Sequence, residues 1–129
     1  MATNSEFVGF PFLLFILEHF YKLTSSNYQE VKERLGTDAV IKHFIFKFSR
    51  DNTFHVFKKA YQEKDIKTAF RAMHTLKGLC ASLGFVSLFN SASALCDKLK
   101  EDKMPGALEV FLCEKKYNAL MKHIRALSD

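Results

Sequence analysis

The chain has no tryptophan, two prolines, five glycines and three cysteines among 129 residues. Proline and glycine are the strongest interrupters of regular structure, so their scarcity leaves long stretches free to be helical. Cys80, Cys96 and Cys113 lie far apart and form no close pair, which gives no support to a zinc site. Cys80 and Cys113 fall on apolar helical stripes and Cys96 borders one. They read as buried thiols in a reducing compartment, and a cytoplasmic protein is expected. There is no glycine-rich nucleotide loop and no kinase-type catalytic set, so the chain is not expected to phosphorylate itself from ATP.

A run of basic residues interleaved with aromatics is also missing. The formal charge is +5, but Lys32, Arg34, Lys42, Lys47, Lys58, Lys59, Lys98, Lys100, Lys115 and Lys116 are scattered and mixed with acids. They read as solvated helix faces, with no nucleic-acid partner. One apolar tract, Phe7–Leu17, stands out. It is interrupted by Gly9 and Pro11 and is far shorter than the about 20 residues a spanning helix needs. No Lys or Arg precedes it and no small-residue cleavage site follows, so it makes a poor signal peptide. A helix or extended arm packed on the rest of the chain is expected, not a membrane segment.

What is present is apolar residues, 48% of the chain, with fourteen phenylalanines. Their spacing predicts an all-α protein. Asn27 with Glu30 suggests a capping box, and Gly36 a stop, for a short helix over 27–35 with Val31 and Leu35 facing inward. Thr37 can cap the next helix, with Asp38 at its positive end and Val40, Ile41, Phe44, Ile45 and Phe48 as its apolar face. The polar stretch 49–53 predicts a break or kink before 54–62. Asp65 caps a further helix that Gly84 ends. Phe85, Leu88, Ala92, Leu95 and Leu99 form the next seam. Pro105 fits a first-turn position, and Val110, Cys113, Tyr117, Leu120, Ile124 and Leu127 give the last helix its seam. Short connections predict an antiparallel up-down-up-down four-helix bundle, with the additional N-terminal helical segments packed on one end.

The helix over 65–83 has a stripe of Ile66, Ala69, Met73, Leu76, Cys80 and Leu83 at helical spacing. His74 lies off that stripe, so the helix can bury its back while presenting an imidazole. Phe70 and Gly78 are one turn away on either side, and Arg71 and Lys77 are three residues away. A glycine costs about 1 kcal/mol against alanine inside a helix, and nothing local recovers that, so Gly78 suggests close approach of a partner. Lys77 and Arg71 supply positive charge for a dianionic group, and Phe70 an apolar contact at the rim. A histidine side chain titrates near neutral pH and is nucleophilic when neutral. No acidic metal cluster surrounds it. His19, His43, His55 and His123 read as structural or solvated, since none has a partner at metal-binding spacing.

The segment Ala69-Phe70-Arg71-Ala72-Met73-His74-Thr75-Leu76-Lys77-Gly78-Leu79-Cys80-Ala81-Ser82-Leu83-Gly84 resembles the signature of histidine-containing phosphotransfer (HPt) domains. These share a His-x-Leu-Lys-Gly core and a small-residue stretch ending in Leu-Gly. The similarity extends over 18–129, leaving 1–17 as an apolar N-terminal extension. The resemblance implies a four-helix bundle with His74 as phosphoacceptor on the ring nitrogen distal to the backbone. It implies that Lys77, with Arg71, stabilises the phosphoryl group and that Gly78, with Phe70, Ala81 and Ser82, forms a docking strip. The partners implied are receiver domains of response regulators and hybrid histidine kinases. The chain itself would need no cofactor, and the receiver would bring the acceptor aspartate and Mg²⁺. Met73 departs from the alanine common before the histidine, and the Phe7–Leu17 tract is not part of the family pattern.

The function expected is therefore a phosphoryl carrier in a two-component phosphorelay, monomeric and without independent catalytic activity. The alternative is a receiver-docking adaptor that kept the bundle and lost the relay. A binder of nucleic acid or membrane surfaces driven by net charge is a third reading, and a steep salt dependence would mark it.

Overall fold

Most helix boundaries are set by identifiable cap chemistry. The computed structural model describes the backbone of residues 4–24 and 26–127, with side chains from Phe12 onward. Among these residues there are seven helices: α1 Asn4–Leu23, α2 Tyr28–Leu35, α3 Asp38–Ser49, α4 Thr53–Gln62, α5 Ile66–Leu83, α6 Val86–Lys100 and α7 Ala107–Leu127. The Asn27 side chain accepts from the Glu30 N–H at 3.0 Å, and Thr37 from Val40 at 3.2 Å. Asp65 accepts from Thr68 at 3.1 Å and so caps α5. Asp51 accepts from the Thr53 N–H at 2.8 Å, in the break between α3 and α4. These bonds satisfy donors that a helix start otherwise leaves open.

Helices α4 to α7 form the closely packed group, with α5 between α4 and α6. The sequence-predicted seams meet inside it: Ala69, Met73, Leu76, Cys80 and Leu83 of α5, Leu88, Ala92, Leu95 and Leu99 of α6, and Val110, Cys113, Tyr117, Leu120 and Ile124 of α7 are all buried. The α4–α7 side is closed by side chains. Phe54 stacks on Tyr117 with ring centroids 4.4 Å apart, and Lys58 pairs with Glu114. The architecture is a four-helix core with extra N-terminal helices. Of those, α1 packs on α2, α3 and α7, while α2 packs on α3 and α5. Leu17, Phe20 and Tyr21 of α1 enter the core, where Phe20 and Phe48 both make T-shaped contacts with Phe85. The part of the Phe7–Leu17 tract before Phe12 contributes backbone to α1, and its side chains lie outside the described residues.

Burial pushes all three thiols upward, Cys113 to about 11. Desolvation disfavours the thiolate, so these groups pack as small apolar side chains.

Two expectations need correction, on α3 and at Pro105, and one at Asp38 holds but is incomplete. Val40 and Phe44 do not face the core; each is 37% exposed, because α3 has a wider apolar arc than its neighbours cover. Asp38 does more than sit at a positive helix end. It is 2% exposed, accepts from the Tyr28 hydroxyl, and pairs with Lys32 Nζ at 3.1 Å. Buried charge requires such partners. Pro105 precedes the first turn of α7. Its carbonyl accepts from the Tyr61 hydroxyl at 2.9 Å, and the Glu109 carboxylate accepts from the Gly106 N–H at 3.2 Å, so the helix starts at Ala107.

Gly84 ends α5 in the left-handed conformation, with φ +71°. A Cβ there would lie 2.4 Å from Cγ2 of Val31, a stiff β-branched side chain that is fully buried. Gly84→Ala is expected to destabilise the fold by about 2 kcal/mol or more, from the backbone and the overlap together, as read by urea unfolding.

Candidate functional site

Helix α5 is two-faced. Its seam is buried from Ala69 to Leu83, whereas His74, Arg71, Thr75, Gly78, Ala81 and Ser82 are exposed on the other side. The alternation of three and four residues along the buried seam leaves the imidazole outside. None of the described residues walls it in. Phe70, half-buried one turn earlier, stacks on the His74 ring with centroids 5.9 Å apart and planes 20° from parallel. The contact gives the imidazole a fixed apolar neighbour on one side.

The two candidate cations sit on opposite flanks of the helix. Lys77 leans toward α6, its Nζ 5.9 Å from the centre of the Phe89 ring. That cation–π contact is weak at a half-buried site, but it places the ammonium at the α5–α6 edge. Arg71 lines a groove of about 260 Å³ on the α4 side with Asn52, Thr53, Val56, Thr68 and Thr75. The strip between them runs from Phe70 through His74 and Gly78 to Ala81 and Ser82. Leu79 and Ser82 then border a second groove of about 260 Å³ with Leu35, Phe44 and Lys47. The structure thus brings all seven sequence-predicted site residues to one side of α5.

Sequence reasoning missed Phe89, which lies beside the α6 seam four residues after Phe85 and whose contact with Lys77 no periodicity reveals. It also missed Arg34, whose guanidinium reaches α5 from α2. Long-range contacts of that kind leave no periodic trace. The other histidines are elsewhere: His43 packs edge-on to Phe44 and His55 to Tyr117. His19 and His123 line a larger apolar groove between α1 and α7, to which α5 contributes nothing. Among the described residues no group of three or more His, Cys, Asp or Glu side chains gathers to hold a metal, and no helix is long and apolar enough to cross a membrane.

An exposed histidine on a convex helix cannot enclose a small substrate. It can offer its ring to the surface of another protein. Residues 45–128, more than half of the chain, match the family model of the Hpt domain. The chain belongs to the Hpt domain family. As an Hpt domain it takes part in histidine phosphotransfer between receiver-domain aspartates, and it is a phosphoryl carrier, not a catalyst in its own right. The match opens within α3, so α1 and α2 lie outside it. Neither the curated proteins nor the solved structures gave a match to the chain.

Gly78 of this Hpt domain has no neighbour within 4 Å of where a Cβ would stand and no unusual φ. The fold itself therefore does not need a glycine there. Gly78→Ala is expected to raise stability by about 1 kcal/mol, the helix-propensity difference, seen as a higher urea midpoint with an unchanged slope.

Proposed function

We propose that His74 carries the phosphoryl group and that Phe70, Gly78, Ala81 and Ser82 form the strip on which receiver domains dock. The observation that carries this reading is the exposed imidazole on the outward side of α5, in a segment matched to the Hpt family. In the forward step a neutral ring nitrogen attacks the phosphorus of a receiver's aspartyl phosphate. A nitrogen–phosphorus bond forms, the acyl-phosphate oxygen–phosphorus bond breaks, and the carboxylate leaves. The reverse of the same exchange delivers the group to a second receiver. Positioning and charge neutralisation supply most of the catalysis in such transfers. Lys77 and Arg71, on the two flanks, contribute positive charge to the equatorial oxygens. The receiver contributes Mg²⁺ and the carboxylate.

Gly78 matters in this reading for what it omits. A side chain one turn from His74 would stand between the imidazole and an approaching receiver backbone. Residues 18–129 act as the phosphotransfer unit, an up-down-up-down antiparallel bundle with its N-terminal helices, and 1–17 as an apolar extension of it. The protein works as a cytoplasmic monomer whose partners are receiver domains of response regulators and hybrid kinases. Intact His74, Lys77 and Gly78 favour a working relay over a docking adaptor, for which stable receiver binding without transfer would be the signature.

His74→Gln is expected to abolish uptake of acid-labile phosphate from a phosphorylated receiver while the far-ultraviolet circular dichroism spectrum stays that of the parent. Label persisting on that variant would overturn the assignment. Gly78→Leu, at a position open to solvent, is expected to keep the fold and to slow transfer by at least about tenfold, since a misplacement of about 1 Å already costs on the order of a hundredfold in rate. Quench-flow transfer rates from one labelled receiver decide it.

A further inference from the structure

The C-terminal end of α5 is held in part by residues from outside the matched region. A helix leaves its last four carbonyls without partners of its own; in α5 they belong to Cys80, Ala81, Ser82 and Leu83. The Cys80 carbonyl accepts from the Gly84 N–H and from the Phe85 N–H, the latter at 2.9 Å. The remaining three are served by side chains of α1 and α2. Arg34 Nη2 donates to the Ala81 carbonyl at 2.8 Å and to the Ser82 carbonyl at 3.1 Å. The Tyr21 hydroxyl donates to the Leu83 carbonyl at 2.9 Å. Arg34 is itself 3.9 Å from Glu30 on its own helix. Val31 of α2 presses on the bare Gly84 backbone beside this clamp.

The chemistry of the contact is specific. The negative end of a helix dipole favours a cation, and a guanidinium offers fixed, directed donors that an ammonium lacks. Ala81 and Ser82 are the residues whose outward side chains end the docking strip. Their backbone is therefore tied to α2 at the place where a receiver would press on their side chains. A helix end lacking such a tie frays, and ordering it on binding costs affinity.

We infer that Arg34 is a positioning residue for phosphotransfer, holding the Ala81–Ser82 end of the strip in shape before a receiver arrives. This rests on the reading of the His74 side of α5 as the docking surface. Arg34 touches neither the imidazole nor the reacting phosphorus in that reading, so its effect falls on engagement and not on chemistry.

The test uses the full chain, a phosphorylated receiver domain as donor, and transfer rates across receiver concentration. Arg34→Gln is expected to raise KM about three- to tenfold, the loss of a partly solvated charge-assisted contact, with kcat within about twofold. Arg34→Lys, which keeps the charge, should recover part of that loss. In the receiver-free protein, amide exchange at Leu83, Gly84 and Phe85 should quicken in Arg34→Gln, while amides around His74 keep their protection. Unchanged KM with unchanged exchange would overturn the inference, as would a fall in kcat at constant KM. Should Arg34→Gln lose its helical signal, Arg34→Met, which retains the aliphatic stem, takes its place, and the same changes in KM and exchange are expected of it. A failure of the His74 reading shows separately, as label surviving His74→Gln. A failure of the clamp alone shows as parental KM in the Arg34 variant while His74→Gln is inactive.

Discussion

Helix α5 must be fully buried along one side and left bare along the other. Everything else in the molecule follows from meeting both demands. The buried side is anchored by Met73 and Cys80, with no measurable exposure, and by Ala69, Leu76 and Leu83 around them. Burying a large apolar side chain contributes about 1.5–3 kcal/mol, so the seam alone fixes the rotation of the helix about its axis. Fixing that rotation fixes where His74 points. Met73, which stands where the family commonly has alanine, is consistent with this logic. It faces inward, so its extra bulk is taken up by packing and the neighbouring imidazole is left outside.

The bare side then needs local order without cover. Three devices provide it, each at a different place along the helix. Asp65 caps the start, the Phe70 ring lies along the imidazole, and Arg34 with Tyr21 takes the carbonyls at the end. None of these covers the strip. Burial holds the Tyr21 hydroxyl well above its ordinary pKa, because the phenolate would lose its hydration there, so it stays a donor to the Leu83 carbonyl. The short helix α2, which could not persist alone at eight residues, is stable because Val31 is buried against Gly84 and both its ends are capped.

The core of this arrangement was legible in the sequence because it is periodic or local. Seams are periodic, and Met73, Leu88 and Cys113 lie where the spacing puts them. Caps are local, and Asn27, Thr37 and Asp65 each bond the amide three residues on. Other features are neither. The inward turn of Asp38 depends on Tyr28 and Lys32 arriving from another helix. The exposure of Phe44 and Val40 depends on how much of α3 its neighbours cover, which apolar spacing alone does not state. Pro105 looked like a first-turn residue because its φ suits one, but the Tyr61 hydroxyl and the Glu109 carboxylate move the start to Ala107. Phe89 beneath Lys77 and Arg34 on the α5 carbonyls are contacts between helices, and a single sequence carries no signal for them.

A carrier of this design leaves much of the chemistry to its partner. The outward side of α5 is convex, and Lys77 and Arg71 sit at its edges, so the described residues close no pocket around the imidazole. Electrostatic stabilisation is strongest where water is excluded, and on this surface exclusion can come only from a second protein. In the proposed reading, with His74 offering each receiver the same nitrogen, selectivity among partners rests on how well the strip matches a given receiver. A surface that selects by shape has to keep its shape in the free state, because ordering it on contact would weaken every partner alike. In the proposed reading that requirement accounts for the tie from an α2 guanidinium to the Ala81 and Ser82 carbonyls, although α2 lies outside the region matched to the Hpt family.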